Sequence, residues 1–266
     1  MDPTPLAAWP LNERAVVHGV LTDIDDTLTT DGALSPEGEW ALRRLQAAGL
    51  PVFAVTGRPA GWSEPFALAW PVDAIVAENG AVALWREGGR LVKAYAQDGA
   101  ARARHRQTLD AAAAAVLAAL PHARLASDSA GRETASAIDH SEHHHLDEAD
   151  IARVVALMRA HGLNATVSSI HVNGWVGGHD KRSGARSCAR ERLGRSLDDE
   201  LERWVYVGDS TNDAAMFGWM PHSVGVANIA RFWTQLTHRP RYVAPRERGA
   251  GFADVADALL AARSPA

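Results

Sequence analysis

Apolar, β-branched runs that break abruptly into polar turns recur along the chain, a pattern that predicts buried parallel strands. Residues 16–22 run straight into Asp23, residues 51–55 into Thr56-Gly57-Arg58, and residues 73–77 into Glu78-Asn79-Gly80-Ala81. Between the first two runs, Ser35 reads as an N-cap and Pro36 as the first helical residue. Trp40, Leu42 and Leu45 read as a core-facing stripe and Gly49 as the stop. That segment predicts a helix of about three turns. Alternating strand and helix imply a doubly wound, mainly parallel α/β sheet.

The pattern then changes. Residues 81–85 and 90–95 flank Glu87-Gly88-Gly89, a hairpin signal that a doubly wound sheet does not need. An Ala-rich helix over 101–120, a strand over 134–138, a helix over 147–161 stopped by Gly162, and a strand over 165–172 follow. After Lys181 the first pattern returns. It gives a helix over 183–193 before Gly194, strands over 204–207, 223–226 and 242–244, a short helix after Asn212, and a final helix over 252–262. The expected organisation is an α/β core made of residues 1–82 and 180–266, interrupted by an α+β unit over 83–179.

Composition narrows the function. The chain has 266 residues, 47% of them hydrophobic, with a formal charge of −5 and no long basic run. A small-molecule substrate fits this better than nucleic acid or an anionic membrane. Cys188 is the only cysteine, so neither a disulfide scaffold nor a Cys-rich zinc site can form. No run of about 18 apolar residues and no signal-peptide pattern occur, so the expectation is a cytoplasmic protein, monomer or homodimer.

Chemistry concentrates where strands end. In Asp23-Ile24-Asp25-Asp26-Thr27, residues two apart in extended chain point the same way, so Asp23 and Asp25 can face one site. Two carboxylates there repel, and the usual remedies are a shared proton or a hard cation; oxygen-only ligands without nearby His or Cys favour Mg²⁺ over zinc. Gly208-Asp209-Ser210-Thr211-Asn212-Asp213 supplies a third carboxylate, Asp209, after another apolar strand. At Thr56-Gly57 a hydroxyl and backbone N–H groups can hold a phosphate oxygen, and Lys181 can neutralise phosphate and carboxylates together. Each group alone has an ordinary structural reading: a solvated turn, an Asx-turn cap, a surface lysine. Three of the four follow strands, however, and ligands of open α/β sheets bind beyond the strands' carboxyl ends. Thr56 and Lys181 are 125 residues apart, and the inserted unit accounts for that gap.

With this ordered set the chain resembles the haloacid dehalogenase (HAD) superfamily, in the group with a large α/β cap (type IIB) between the second and third motifs. That group includes the Cof-like sugar phosphatases, sucrose-phosphatase and mannosyl-3-phosphoglycerate phosphatase. The likeness extends through Glu78-Asn79-Gly80-Ala81 to Gly249-Ala250-Gly251-Phe252. Asp26 stands where many relatives have Gly, and Arg182 where Gly commonly follows the lysine, so Arg182 is expected to alter substrate contacts.

The resemblance implies a Rossmann-like core with an inserted cap domain and a Mg²⁺-dependent phosphatase acting on a small phosphorylated metabolite, with sugar phosphates the leading class. Asp23 would be the nucleophile, forming an aspartyl-phosphate, and Asp25 the general acid and base. Mg²⁺ would be held by the carboxylates of Asp23 and Asp209 and the backbone carbonyl of Asp25. Thr56, Gly57, Lys181 and Asn212 would bind the phosphoryl group, Asp213 would orient Lys181 or a metal-bound water, and Arg58 is a candidate substrate contact or else a surface ion pair. A phosphomutase and a catalytically silent sugar-phosphate sensor remain alternatives. In the inserted unit, His140, His143, His144 and His145 include a metal-binding residue type but no enforced ligand spacing, and Trp175 is a candidate pocket residue.

Overall fold

Every residue of Gly19–Thr22, Val52–Val55 and Ala74–Ala77 is buried, as strands covered on both faces must be. The computed structural model describes residues 3–263. Its elements begin with α1 (Leu11–Ala15), β1 (Gly19–Thr22), a small flap of β2 (Thr29–Thr30) and β3 (Ala33–Leu34), and α2 (Pro36–Ala47). Then come β4 (Val52–Val55), α3 (Ala60–Ala69), β5 (Ala74–Ala77) and a hairpin of β6 (Val82–Glu87) and β7 (Arg90–Tyr95). The middle of the chain forms α4 (Gly99–Ala119), β8 (Arg124–Leu125), β9 (Ala135–Asp139), α5 (Glu148–Ala160), β10 (Asn164–Val167) and β11 (His171–Trp175). It ends with α6 (Lys181–Leu193), β12 (Trp204–Gly208), α7 (Ala214–Trp219), β13 (His222–Gly225), β14 (Tyr242–Val243) and α8 (Arg248–Ala261).

The large sheet has the order β14-β13-β12-β1-β4-β5-β6-β7. Its first six strands are parallel and the β6–β7 hairpin joins antiparallel to β5. One apolar layer, with Leu42, Leu45, Phe252 and Leu259, covers one face, and another, with Ala185, Cys188 and Phe217, covers the other. The hairpin therefore extends the core sheet and does not open the inserted unit. Val82 and Leu84 are apolar and buried, and they complete the hydrophobic layer above β5. The second sheet is antiparallel, β10-β11-β9-β8, with α4 and α5 packed on one face through Leu109, Val116, Val154 and Met158.

Two other expectations change. The strand expected over 165–172 is a hairpin, because the Ser168 hydroxyl accepts the Ile170 and His171 N–H groups and turns the chain. Trp40 is 62% exposed, whereas the buried face of α2 is Gly38, Ala41, Leu42 and Leu45. Residues two apart on a helix do not share a face, so Trp40 and Leu42 cannot both point inward. The Ser35 cap and Pro36 start are as expected: Ser35 Oγ accepts the Gly38 N–H at 3.0 Å.

Candidate active site

Parallel strands deliver their C-terminal residues to one edge of a sheet, and β1 and β12 are neighbours in register, with Thr22 beside Val207. Asp23 and Asp209, each just beyond its strand, are thereby brought together. Asp213 joins them from the turn before α7, and ligand oxygens of Asp23, Asp209 and Asp213 all lie within 4.8 Å of one another. Lys181 enters from the far side as the first residue of α6. A positive side chain there opposes the helix dipole, and close carboxylates offset this. Its Nζ donates to Asp23 Oδ1 at 2.6 Å and Asp213 Oδ1 at 2.7 Å. Gly80 and Gly184 let α6 approach so closely, since a Cβ on Gly184 would lie 2.3 Å from the Gly80 Cα.

The three carboxylates differ in how well they are satisfied. Asp213 also accepts the Tyr206 hydroxyl and the backbone N–H groups of Asp209 and Ser210, so it acts mainly as a brace. Asp209 is completely buried, yet its carboxylate meets only neutral donors: Thr27 Oγ1 at 3.4 Å and Asn228 Nδ2 at 2.9 Å. Burial, then the charges of Asp23 and Asp213, push the Asp209 carboxyl far above the usual carboxylate range. Burial likewise raises Asp23, against the pull of Lys181 and with repulsion from Asp213 and Asp25. Lys181 is raised because Asp213 and Asp23 outweigh its own desolvation. Three buried carboxylates thus share one ammonium. An all-oxygen set with surplus negative charge suits a hard divalent cation.

Asp25 is also buried, but its carboxylate turns away from this cluster toward Arg58. Arg58 Nε donates to Asp25 Oδ1 at 2.9 Å and Oδ2 at 3.1 Å, and Nη2 to Oδ1 at 2.8 Å. Arg58 is only 4% exposed and stacks over Trp62, which sets aside the surface ion-pair reading. The same guanidinium reaches two residues of the inserted unit, Asp128 at 3.1 Å and Glu142 at 2.7 Å. The hydroxyl of Thr56 accepts the Arg58 N–H at 3.0 Å, and the Asn173 side chain of β11 lies against Gly57. Asn212 is buried, its Oδ1 accepting from Ser210, beside a cavity of about 360 Å³ that Lys181 and Trp175 also line.

Both departures from the family pattern have a local explanation. Asp26 has φ +57°, a left-handed conformation that favours glycine and that Asp tolerates, and its carboxylate pairs with Arg248 at 3.1 Å. Arg182 pairs with Asp180, 2.6 Å away, and does not reach the site.

The inserted unit is fastened to the core by Glu78, which is fully buried. Its Oε1 accepts the N–H groups of Ala60 and Glu133, and its Oε2 the Thr134 N–H and hydroxyl. Of the histidine group, His140 is buried with Nε2 3.0 Å from the Ser168 carbonyl, and His143 is exposed. Among the described residues it forms no metal-ligating cluster. Residues that sequence reasoning passed over are Thr27, Asn228, Tyr206, Asp128 and Glu142. Only Asn228 carried a readable signal, a polar residue just past an apolar strand.

A sequence profile of the haloacid dehalogenase-like hydrolase family matches residues 20–153, half of the chain. No curated protein matches the sequence significantly. Among solved structures, a Thermoplasma acidophilum protein aligns with a TM-score of 0.68 at 18% identity, covering 92% of this chain and 98% of its own. A phosphatase of the HAD enzyme superfamily from Bacteroides thetaiotaomicron gives 0.60 at 18% identity, with 92% and 95% covered. The sucrose-phosphatase of Synechocystis, solved with sucrose and phosphate, gives 0.61 at 15% identity, with 91% and 97% covered. At these identities the structural likenesses establish the fold, and with the profile match over half the sequence they lead to one assignment: the chain belongs to the haloacid dehalogenase-like hydrolases, with the fold of members that carry an α/β cap.

Proposed function

We propose that this protein is a Mg²⁺-dependent phosphatase that hydrolyses a small phosphate monoester, a sugar phosphate or related metabolite, through an aspartyl-phosphate on Asp23. The observation that carries the reading is the surplus of buried carboxylate charge: Asp23, Asp209 and Asp213 against Lys181 alone. Evolved interiors do not leave such charge uncompensated, and a divalent cation would neutralise it. Asp23 and Asp209, with the Asp25 backbone carbonyl, are the groups to hold Mg²⁺, which when bound would withdraw charge from the phosphoryl oxygens.

This chain's own residues would divide the remaining work. Asp23 attacks phosphorus as the bond to the leaving oxygen breaks, and Asp25 gives that oxygen a proton and later takes one from the hydrolytic water. Lys181, Thr56, Gly57 and Asn212 bind the phosphoryl oxygens, while Asp213 holds Lys181 in place. The leaving group must lie beside Asp25. A cleft of about 560 Å³ opens there, with Asp31, Arg58, His143, Arg231 and Arg248 in its walls. Carboxylates, cations and hydroxyls line it and, among the described residues, no Phe, Tyr or Trp does, which suits a hydroxylated group better than a nucleobase. The likeness to a phosphatase solved with sucrose and phosphate agrees with this choice.

The test is phosphate release from a panel of phosphorylated metabolites, with Mg²⁺ or EDTA, alongside Asp23→Asn. Mg²⁺-dependent release that the variant abolishes is the expected result. Full activity in Asp23→Asn would remove the nucleophile assignment, and transfer between hydroxyls without free phosphate would make the protein a mutase.

A further inference from the structure

Arg58 donates to both oxygens of Asp25, a bidentate pairing that holds the carboxylate against the guanidinium at the edge of the leaving-group cleft. For Asp25 to hand over a proton, Arg58 must withdraw from it while staying paired, because a buried guanidinium without a carboxylate is costly. The inserted unit supplies two other partners, Asp128 on Nη1 and Glu142 on Nη2, and Glu142 shares with Asp25 the nitrogen that must move. Glu142 Oε1 already accepts from Arg58 Nη2 at 2.7 Å, and its Oε2 is held from behind by His171 Nε2 at 2.9 Å. His171 is buried, at 2% exposure, and its Nδ1 faces Arg132, 3.5 Å away. Arg132 in turn donates to the Gly57 carbonyl of the core and to Asp128. Glu142 is thus fixed to the rigid face of β11 and aimed at the one cation that restrains Asp25.

We propose that Glu142 is a positioning residue: by drawing Arg58 toward the inserted unit it frees the Asp25 carboxyl to face the leaving oxygen. This rests on the phosphatase reading above and adds to it a route by which the cap governs acid catalysis without touching phosphate. As the Asp23–phosphorus bond forms and the ester bond breaks, the proton on Asp25 passes to the departing oxygen. Without Glu142, Arg58 remains on Asp25 and that transfer is hindered. The deficit must then grow with the leaving group's need for a proton.

The experiment compares kcat/KM for phenyl phosphate and p-nitrophenyl phosphate, two esters of nearly one shape whose leaving groups differ in basicity. Glu142→Gln keeps the size and removes the charge. We expect its kcat/KM to fall about tenfold further on phenyl phosphate than on p-nitrophenyl phosphate, a fraction of what an acid contributes. That excess should vanish when Glu142→Gln is placed in an Asp25→Asn background, since the two act through one group. Release of the phenol in a single turnover, which precedes the step that needs Asp25 as a base, gives the rates in the Asp25→Asn background, and far-ultraviolet circular dichroism reports that each variant is folded. An equal fall on both esters, or an excess that persists in the Asp25→Asn background, overturns the proposal. Absence of release from either ester by the unmodified protein overturns the phosphatase reading, and this proposal with it.

Discussion

Lys181 Nζ lies 2.6 Å from Asp23 Oδ1, with both side chains almost wholly buried. The ion pair joins the end of β1 to the start of α6, residues 158 apart in sequence. Lys181→Met removes the one ammonium that, among the described residues, faces Asp23 and Asp213. Breaking one partner of a buried pair costs about 3–5 kcal/mol. Urea unfolding should show a loss of that order together with loss of turnover, and a midpoint equal to that of the unmodified protein would contradict the pairing.

Asp209 should reveal the cation thermodynamically. A ligand at about 100 times its Kd stabilises the folded state by about 2.7 kcal/mol. Mg²⁺ should therefore raise the melting temperature relative to EDTA. Asp209→Asn relieves repulsion from Asp23 and Asp213, so it should melt no lower than the unmodified protein in EDTA and gain nothing from Mg²⁺. An undiminished Mg²⁺ shift in the variant would place the cation elsewhere.

Glu78 is expected to hold the two sheets together. Its two oxygens accept from Ala60, Glu133 and the N–H and hydroxyl of Thr134. In Glu78→Gln one of those oxygens becomes an NH₂ that faces donors. The cost of leaving buried donors unmade is about 1–3 kcal/mol. Hydrogen exchange should quicken at Glu133 and Thr134 more than in β1, whereas a uniform change would argue against a local fastening role.

Glu142 gives a pH signature. Burial alone would raise its carboxyl, but hydrogen bonds from His171 and Arg58 outweigh this and bring it down to about 2. A depressed folded-state pKa means stabilisation that is complete above the ordinary glutamate value of about 4.3 and is lost as pH falls toward 2. Between those limits the unmodified protein should lose stability more steeply than Glu142→Gln, as measured by denaturant midpoints. Parallel pH profiles would show that Glu142 is not held as the geometry requires.

Local chemistry made much of this legible in the sequence. The apolar runs before Asp23, Thr56, Glu78 and Asp209 announced buried parallel strands, and Ser35-Pro36 announced a helix start, because strand burial and helix capping depend on a few adjacent residues. The order of those strand ends was enough to suggest one site. What required tertiary structure was everything set by which surfaces meet. The hairpin at residues 82–95 has the same alternation whether it begins a new sheet or edges an old one, and only its pairing with β5 decides. Trp40 looked inward until the packing of α2 selected another face. Arg58 read equally well as a surface cation or a site residue; contacts from Asp128 and Glu142, 70 and 84 residues away, buried it over Asp25. A side chain's partners across the fold leave no periodic trace in its own segment, so the fold class and the site's strand-end residues were determined by sequence, while the setting of Asp25 was decided by the closure of one sheet upon the other.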